Sequence, residues 1–218
     1  MRKALEIGGL IAGVVLIAFG IGAIVLSVNG NSTVKDNLAA QQIVGSPDMT
    51  PAGITAEAQK AGLDVAKLDI PSKSVANEPI NTGPKARTFA QYMNIHALEA
   101  TGGLHFSQMG RFEAKAGTPK AELAGPGATS NPEWALVDPQ TKQPVENGLR
   151  NVWIQETALT SALNLAFTAS QIALFGLVVG IALLLSGIGF LVLALGGALE
   201  SERLFWSIKP KAHKAVTA

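Results

Sequence analysis

Residues 176–193 read GLVVGIALLLSGIGFLVL, and residues 9–26 read GLIAGVVLIAFGIGAIVL. Nine of the eighteen aligned positions are identical, all four glycines among them, across an offset of 167 residues. Each copy lies in a window without Asp, Glu, Lys or Arg: Ile7 to Val28, 22 residues, and Thr157 to Leu199, 43 residues. A helix needs roughly 20 apolar residues to cross about 30 Å of hydrocarbon. Both windows therefore predict transmembrane helices.

The longer window changes character halfway. Thr157 to Gln171 contains Thr157, Thr160, Ser161, Asn164, Thr168, Ser170 and Gln171, whereas Ile172 to Leu199 has Ser186 as its one polar side chain. The second span is thus expected at 172–199 and the first at 7–28. A secretory leader would also begin with basic residues such as Arg2 and Lys3, but this apolar run is too long for one. The following SVNGNSTVKD also lacks an A-x-A-like cleavage site.

Charge sets the expected topology. Arg2 and Lys3 outweigh Glu6 in the first tail, and Arg203, Lys209, Lys211 and Lys214 outweigh Glu200 and Glu202 in the last. Short basic tails favour the cytoplasmic side, and two ends on one side require an even number of crossings. Residues 29–156 carry 11 basic and 13 acidic groups, net −2, and are expected outside the plasma membrane. The predicted fold is mainly α: two antiparallel transmembrane helices with a largely helical outer domain inserted between them. Its parts are a cytoplasmic tail 1–6, span 7–28, extracytoplasmic domain with juxtamembrane helix extensions 29–171, span 172–199 and a basic cytoplasmic tail 200–218. In that last tail Phe205 and Trp206 among spaced lysines suit an interfacial anchor on anionic lipid.

Gly9, Gly13 and Gly20, and likewise Gly176, Gly180 and Gly187, are spaced 4 and 7 and so share one helix face. In lipid, small residues let two backbones approach closely. These faces predict packing of one span on the other, with self-association as the competing use. Thr157, Ser161, Asn164, Thr168 and Gln171, spaced 4, 3, 4 and 3, form a polar stripe on a helix that continues into the second span, with Val152, Leu159, Leu163 and Ala166 opposite. The stripe is either a water-facing side or a face for a partner or pore.

Between the spans, VKDNLAAQQI prolongs the first helix. Thr50 before Pro51 is a helix N-cap, with Gly62 as the stop. A longer helix begins near Pro84 and ends at Gly102-Gly103, turning Phe89, Met93, Ala97 and Ala100 inward beside Tyr92 and Ile95. Residues 117–132, rich in Gly and Pro, read as irregular or mobile, and WALVDPQTKQPV as a hairpin.

The chain has no cysteine, which excludes disulfides and thiolate metal sites. It also lacks a phosphate loop, a G-x-S-x-G elbow and an H-E-x-x-H helix. VGSPD around Ser46 reads as a turn. His96, Glu99 and His105, with Glu113, are the candidate metal ligands, because His96 and Glu99 stand three apart on one helix and two histidines with a carboxylate is a known iron set. Their spacing is not diagnostic. No catalytic residue, no cofactor and no nucleic-acid partner are expected.

IVGSPDMTP at 43–51, YMNIHALEATGG at 92–103, QMGRFEAKAGTPK at 108–120 and NVWIQETALTSALN at 151–164, between two glycine-rich spans, resemble a family of actinobacterial two-span membrane proteins of uncharacterised function. Some members carry an aromatic-ring-opening dioxygenase name, which in this chain would call on His96, His105 and a carboxylate. The resemblance implies location rather than activity. With six residues before one span and 19 after the other, the inside parts are too short for a signalling enzyme. The expected function is an envelope scaffold or accessory subunit that contacts membrane lipid and binds another membrane or envelope protein. A small-molecule sensor or binding protein is the alternative, and a metal-dependent enzyme the third reading.

Overall fold

The computed structural model describes residues 2–196; the predicted basic tail, with Phe205 and Trp206, and the last residues of the second predicted span lie outside the described residues. The protein is mainly α. Its helices are α1 (Arg2–Ala40), α2 (Pro51–Lys60), α3 (Gly83–Ala100) and α4 (Gly148–Leu195), joined by short 3-10 turns and one two-stranded pair, β1 (Phe112–Glu113) with β2 (Ala128–Thr129). Both α1 and α4 are long and apolar enough to cross a membrane. The chain divides into two compact units, one formed by the residues up to Asn31 with those from Ile172, the other by Ser32–Gln171.

In the first unit the two apolar segments pack on each other through their smallest residues. Gly13, Gly20 and Ser27 are buried on α1, and Gly180 and Gly187 on α4, with Ala173 and Ala194 half-buried. The spacing is seven in every step. A seven-residue repeat keeps one seam facing a partner helix. Each seam glycine lies against a branched residue four positions along from a glycine on the other helix: a Cβ on Gly13 would be 2.8 Å from the Leu191 side chain, one on Gly20 3.0 Å from the Cα of Leu184, one on Gly180 2.8 Å from the Ile24 side chain, and one on Gly187 2.8 Å from the Ile17 side chain. The repeated sentence therefore encodes a glycine and its cover twice per helix. Outward from the seam stand Phe19, Leu26, Phe175 and Leu185, all more than 60% exposed.

The second unit is built around α3. Loss of helical backbone at Gln42, in the left-handed region at φ 53°, ends α1 and frees residues 43–49 to pair with 75–80: Ile80 N–H donates to the Ile43 carbonyl at 2.9 Å, Gly45 N–H to Glu78 at 3.0 Å and Val75 N–H to Met49 at 3.0 Å. A Cβ at Gly45 would run into the Val75 carbonyl, so glycine permits this approach. Thr50 Oγ1 then accepts from Gly53 N–H at 2.9 Å and Pro51 supplies the first turn, which starts α2. Gly62, at φ 77°, ends it. The core comprises Leu38 of α1, Ile54 and Ala58 of α2, Ala86, Phe89, Ala90, Tyr92 and Ile95 of α3, and Leu163 of α4.

Two local expectations need correction. Ala100 is exposed, and Ala86, Ala90 and Leu98 are buried instead, because α3 is enclosed on more than one side. Segment 117–132 is not wholly irregular. Ala128–Thr129 pairs with Phe112–Glu113 and Thr129 is fully buried, a two-residue pairing too short to leave an alternating pattern. The hairpin expected at 134–145 is present, with Val145 N–H donating to Leu136 at 2.8 Å and Asp138 N–H to Gln143 at 2.9 Å.

Candidate functional site

The turn between the 43–49 segment and α2 places Asp48 against α3. Met49 N–H closes the turn on the Ser46 carbonyl at 3.1 Å, and α2 brings Glu57 to the same place. His96, on α3, stands between carboxylates. Its Nδ1 is 3.0 Å from Glu99 Oε2 and its Nε2 is 2.9 Å from Asp48 Oδ2. The Glu99 contact has hydrogen-bond geometry. The Asp48 contact is within ion-pair distance but lacks hydrogen-bond alignment, so the buried Asp48 Oδ2 has no hydrogen-bond partner, and neither has the buried Glu99 Oε1. One donor atom each from Asp48, Glu57 and His96 lies within 4.8 Å of the others.

The electrostatics separate the two nearest carboxyls. Burial pushes Asp48 upward, but hydrogen bonds from Ser46 and its own backbone, with the His96 charge, outweigh that and hold it below its ordinary value. Glu57 is held above its ordinary value, by burial first and then by the charges of Asp48 and Glu99. A close carboxylate pair disfavours double ionisation unless a cation joins it. Tyr92, whose hydroxyl donates to the Lys73 carbonyl at 3.0 Å, is raised by burial and by Asp48.

Of the ligands expected from sequence, His96 and Glu99 meet, but His105 does not join them. His105 is exposed and tilts against Trp153 with ring centroids 5.3 Å apart, and Glu113 is exposed in β1. Asp48 and Glu57 escaped the sequence reading because they lie 48 and 39 residues from His96, with no local spacing to connect them. The one available signal was the turn-plus-cap run SPDMTP, which fixes Asp48 two residues before a helix N-cap.

The polar stripe on α4 divides. Thr157, Ser161, Thr168 and Gln171 are exposed, and Asn164 is half-buried, its Oδ1 accepting from Arg87 Nη1 at 2.8 Å. Of the residues expected opposite, Leu163 is buried and Val152, Leu159 and Ala166 are half-buried. The same helix turns Trp153, Glu156 and Thr160 inward, each buried. A cleft of about 600 Å³ is lined by Arg87, Gln91, Asn94, Glu156, Thr160 and Asn164 among others. Glu156, 7% exposed, accepts from Asn94 Nδ2 at 3.4 Å and from Thr157 Oγ1 at 3.3 Å.

Of the expected packing glycines, Gly13, Gly20, Gly180 and Gly187 lie in the helix seam already described. Gly176 faces Ser27, where a Cβ would come 2.5 Å from its Oγ, and Gly9 is half-buried. No known protein family, curated protein or solved structure matches this chain.

Proposed function

We propose that this chain is an integral plasma-membrane protein whose outer helical unit binds another envelope protein as a scaffold or accessory subunit. The observation that carries the reading is the inverted distribution of side chains on α1 and α4: glycines inside the seam, Phe, Leu and Ile outside. Only 11% of the most apolar window of each helix is buried, whereas the core helix of a water-soluble protein is mostly covered. Hydrocarbon is the solvent that such a surface fits.

The antiparallel arrangement is supported by the order of the contacts, which ascend on one helix as they descend on the other: Gly13 with Leu191, Gly20 with Leu184, Ile24 with Gly180 and Ser27 with Gly176. Basic tails support cytoplasmic termini, and residues 29–156 then lie outside. Affinity capture of the full chain after gentle solubilisation tests the scaffold role. Stoichiometric recovery of one membrane or envelope protein is expected; recovery of the chain alone, or with itself only, would overturn it.

A second reading, a small-molecule binding protein, is favoured by the cleft at Glu156. Its polar lining and its buried carboxylate suit a ligand that carries a hydrogen-bond donor or a positive charge. A small molecule copurifying with the parent and lost from a Glu156→Gln variant would decide for it.

A further inference from the structure

We propose that Asp48, Glu57 and His96 bind one divalent first-row transition-metal ion, with Glu99 as the positioning residue that orients the His96 imidazole. The distances are those of a coordination shell. Oxygen and imidazole nitrogen bind such ions at about 2.0–2.2 Å, so two donors at right angles are about 3.0 Å apart and two opposite donors about 4.2 Å. His96 Nε2 and Asp48 Oδ2, at 2.9 Å, match neighbouring positions. The whole three-atom set lies within 4.8 Å, near the roughly 4.2 Å span of two opposite donors.

His96 Nε2 and the buried Asp48 Oδ2 approach to 2.9 Å without the alignment of a hydrogen bond. A metal ion needs no such alignment, since it sits off the line between the two donors. The arrangement Glu99 carboxylate, imidazole, metal is the usual support for a metal-bound histidine.

The donor chemistry narrows the ion. One imidazole nitrogen with two carboxylates is too nitrogen-rich for calcium or magnesium and suits manganese, iron(II) or zinc. Glu57 is the most exposed of the three, so the ion would be reached from solvent. Three protein donors would leave further positions for water or a ligand. Bound there, the ion would tie the 43–49 segment and α2 to α3.

The test uses the full chain in detergent, freed of any affinity tag and stripped with chelator, then titrated with Zn²⁺ and separately with Mn²⁺. The readouts are calorimetry and metal content after desalting. One ion per chain is expected for at least one of the two metals. Asp48→Asn and Glu57→Gln should each weaken binding at least about 10-fold, and Glu99→Gln by about 10- to 100-fold. His105→Ala should leave it unchanged. Because Glu57 is the most exposed of the three, its variant keeps the fold and remains informative if the Asp48 variant does not. Substitution with Co²⁺ gives a visible spectrum that must change in Glu99→Gln if Glu99 orients the imidazole. Less than about one-tenth of an ion per chain in the parent at roughly micromolar-to-millimolar metal, or folded Asp48→Asn and Glu57→Gln variants that bind like the parent, would overturn the site.

Discussion

A methyl group built on Gly20 would lie 2.8 Å from the Gly180 carbonyl oxygen, and one built on Gly180 would lie 3.0 Å from the Gly20 carbonyl oxygen. The two positions are reciprocal, and at each a backbone atom, which cannot swing aside, stands within 3.0 Å. Gly20→Ala or Gly180→Ala should therefore destabilise the helix pair by about 1–3 kcal/mol, read as a lower midpoint in detergent unfolding. Gly22 and Gly189 also recur in both copies of the sequence, yet nothing lies within 4 Å of a Cβ at either. Gly22→Ala and Gly189→Ala should be neutral or slightly stabilising; if they cost as much as Gly20→Ala, the seam is misplaced.

The contrast shows how far the sequence could be read. Two apolar helices, the Thr50 cap and the Gly62 and Gly102-Gly103 stops were legible because each rests on local composition or on a single backbone requirement. Identity between the two apolar stretches was a weaker guide: Gly22 and Gly189 match but face open space, while Ser27 and Ala173 do not match anything and stand in the seam. The His96 cluster was half legible. Glu99 lies one helical turn from His96, but Asp48 arrives through the pairing of 43–49 with 75–80, and such non-local contacts leave no period to detect.

The proposed cytoplasmic placement of the C-terminal end can be checked with single thiols, since the parent has none. Ala121→Cys, at an exposed position, should react with an impermeant maleimide on intact cells, and Thr217→Cys only after lysis. The opposite pattern would invert the orientation, and equal labelling on intact cells would refute a crossing by α4.

Trp153 is a packing residue with one polar duty. Its Nε1 donates to the Leu104 carbonyl at 2.8 Å, an oxygen that also receives the Thr101 hydroxyl at 2.7 Å. Trp153→Phe leaves that carbonyl bonded and should cost about 0.5–1.5 kcal/mol. Trp153→Ala also opens a cavity and should cost about 3–5 kcal/mol. Equal thermal shifts for the two variants would contradict this division.

The hairpin turn carries its own acid dependence. Asp138 Oδ1 accepts from Gln140 N–H at 2.8 Å and Thr141 N–H at 2.7 Å, and those backbone bonds hold its carboxyl below the ordinary 3.8. A depressed carboxyl stabilises the fold above its unfolded value and loses that contribution as pH falls through the lower folded value. Asp138→Ala should therefore speed amide exchange at Gln140 and Thr141 near neutral pH, and the difference should fade as pH falls below the ordinary carboxylate range. A difference that persists in strong acid would assign the turn's order to packing.

The seven-residue step between small seam residues has a mechanical consequence. With Gly13 against Gly187 and Gly20 against Gly180, two glycine pairs coincide; sliding one helix by a full repeat, about 10 Å, leaves only one such pair, and any smaller slide drives Ile17, Ile24, Leu184 or Leu191 into backbone. The pair therefore works as a keyed joint rather than a piston. Displacements of an ångström or two along the axis, by which paired helices pass a stimulus from one side of a bilayer to the other, would pull Ile17, Ile24, Leu184 and Leu191 off the glycines they lie against. What the two helices offer a neighbour is a strut of fixed length.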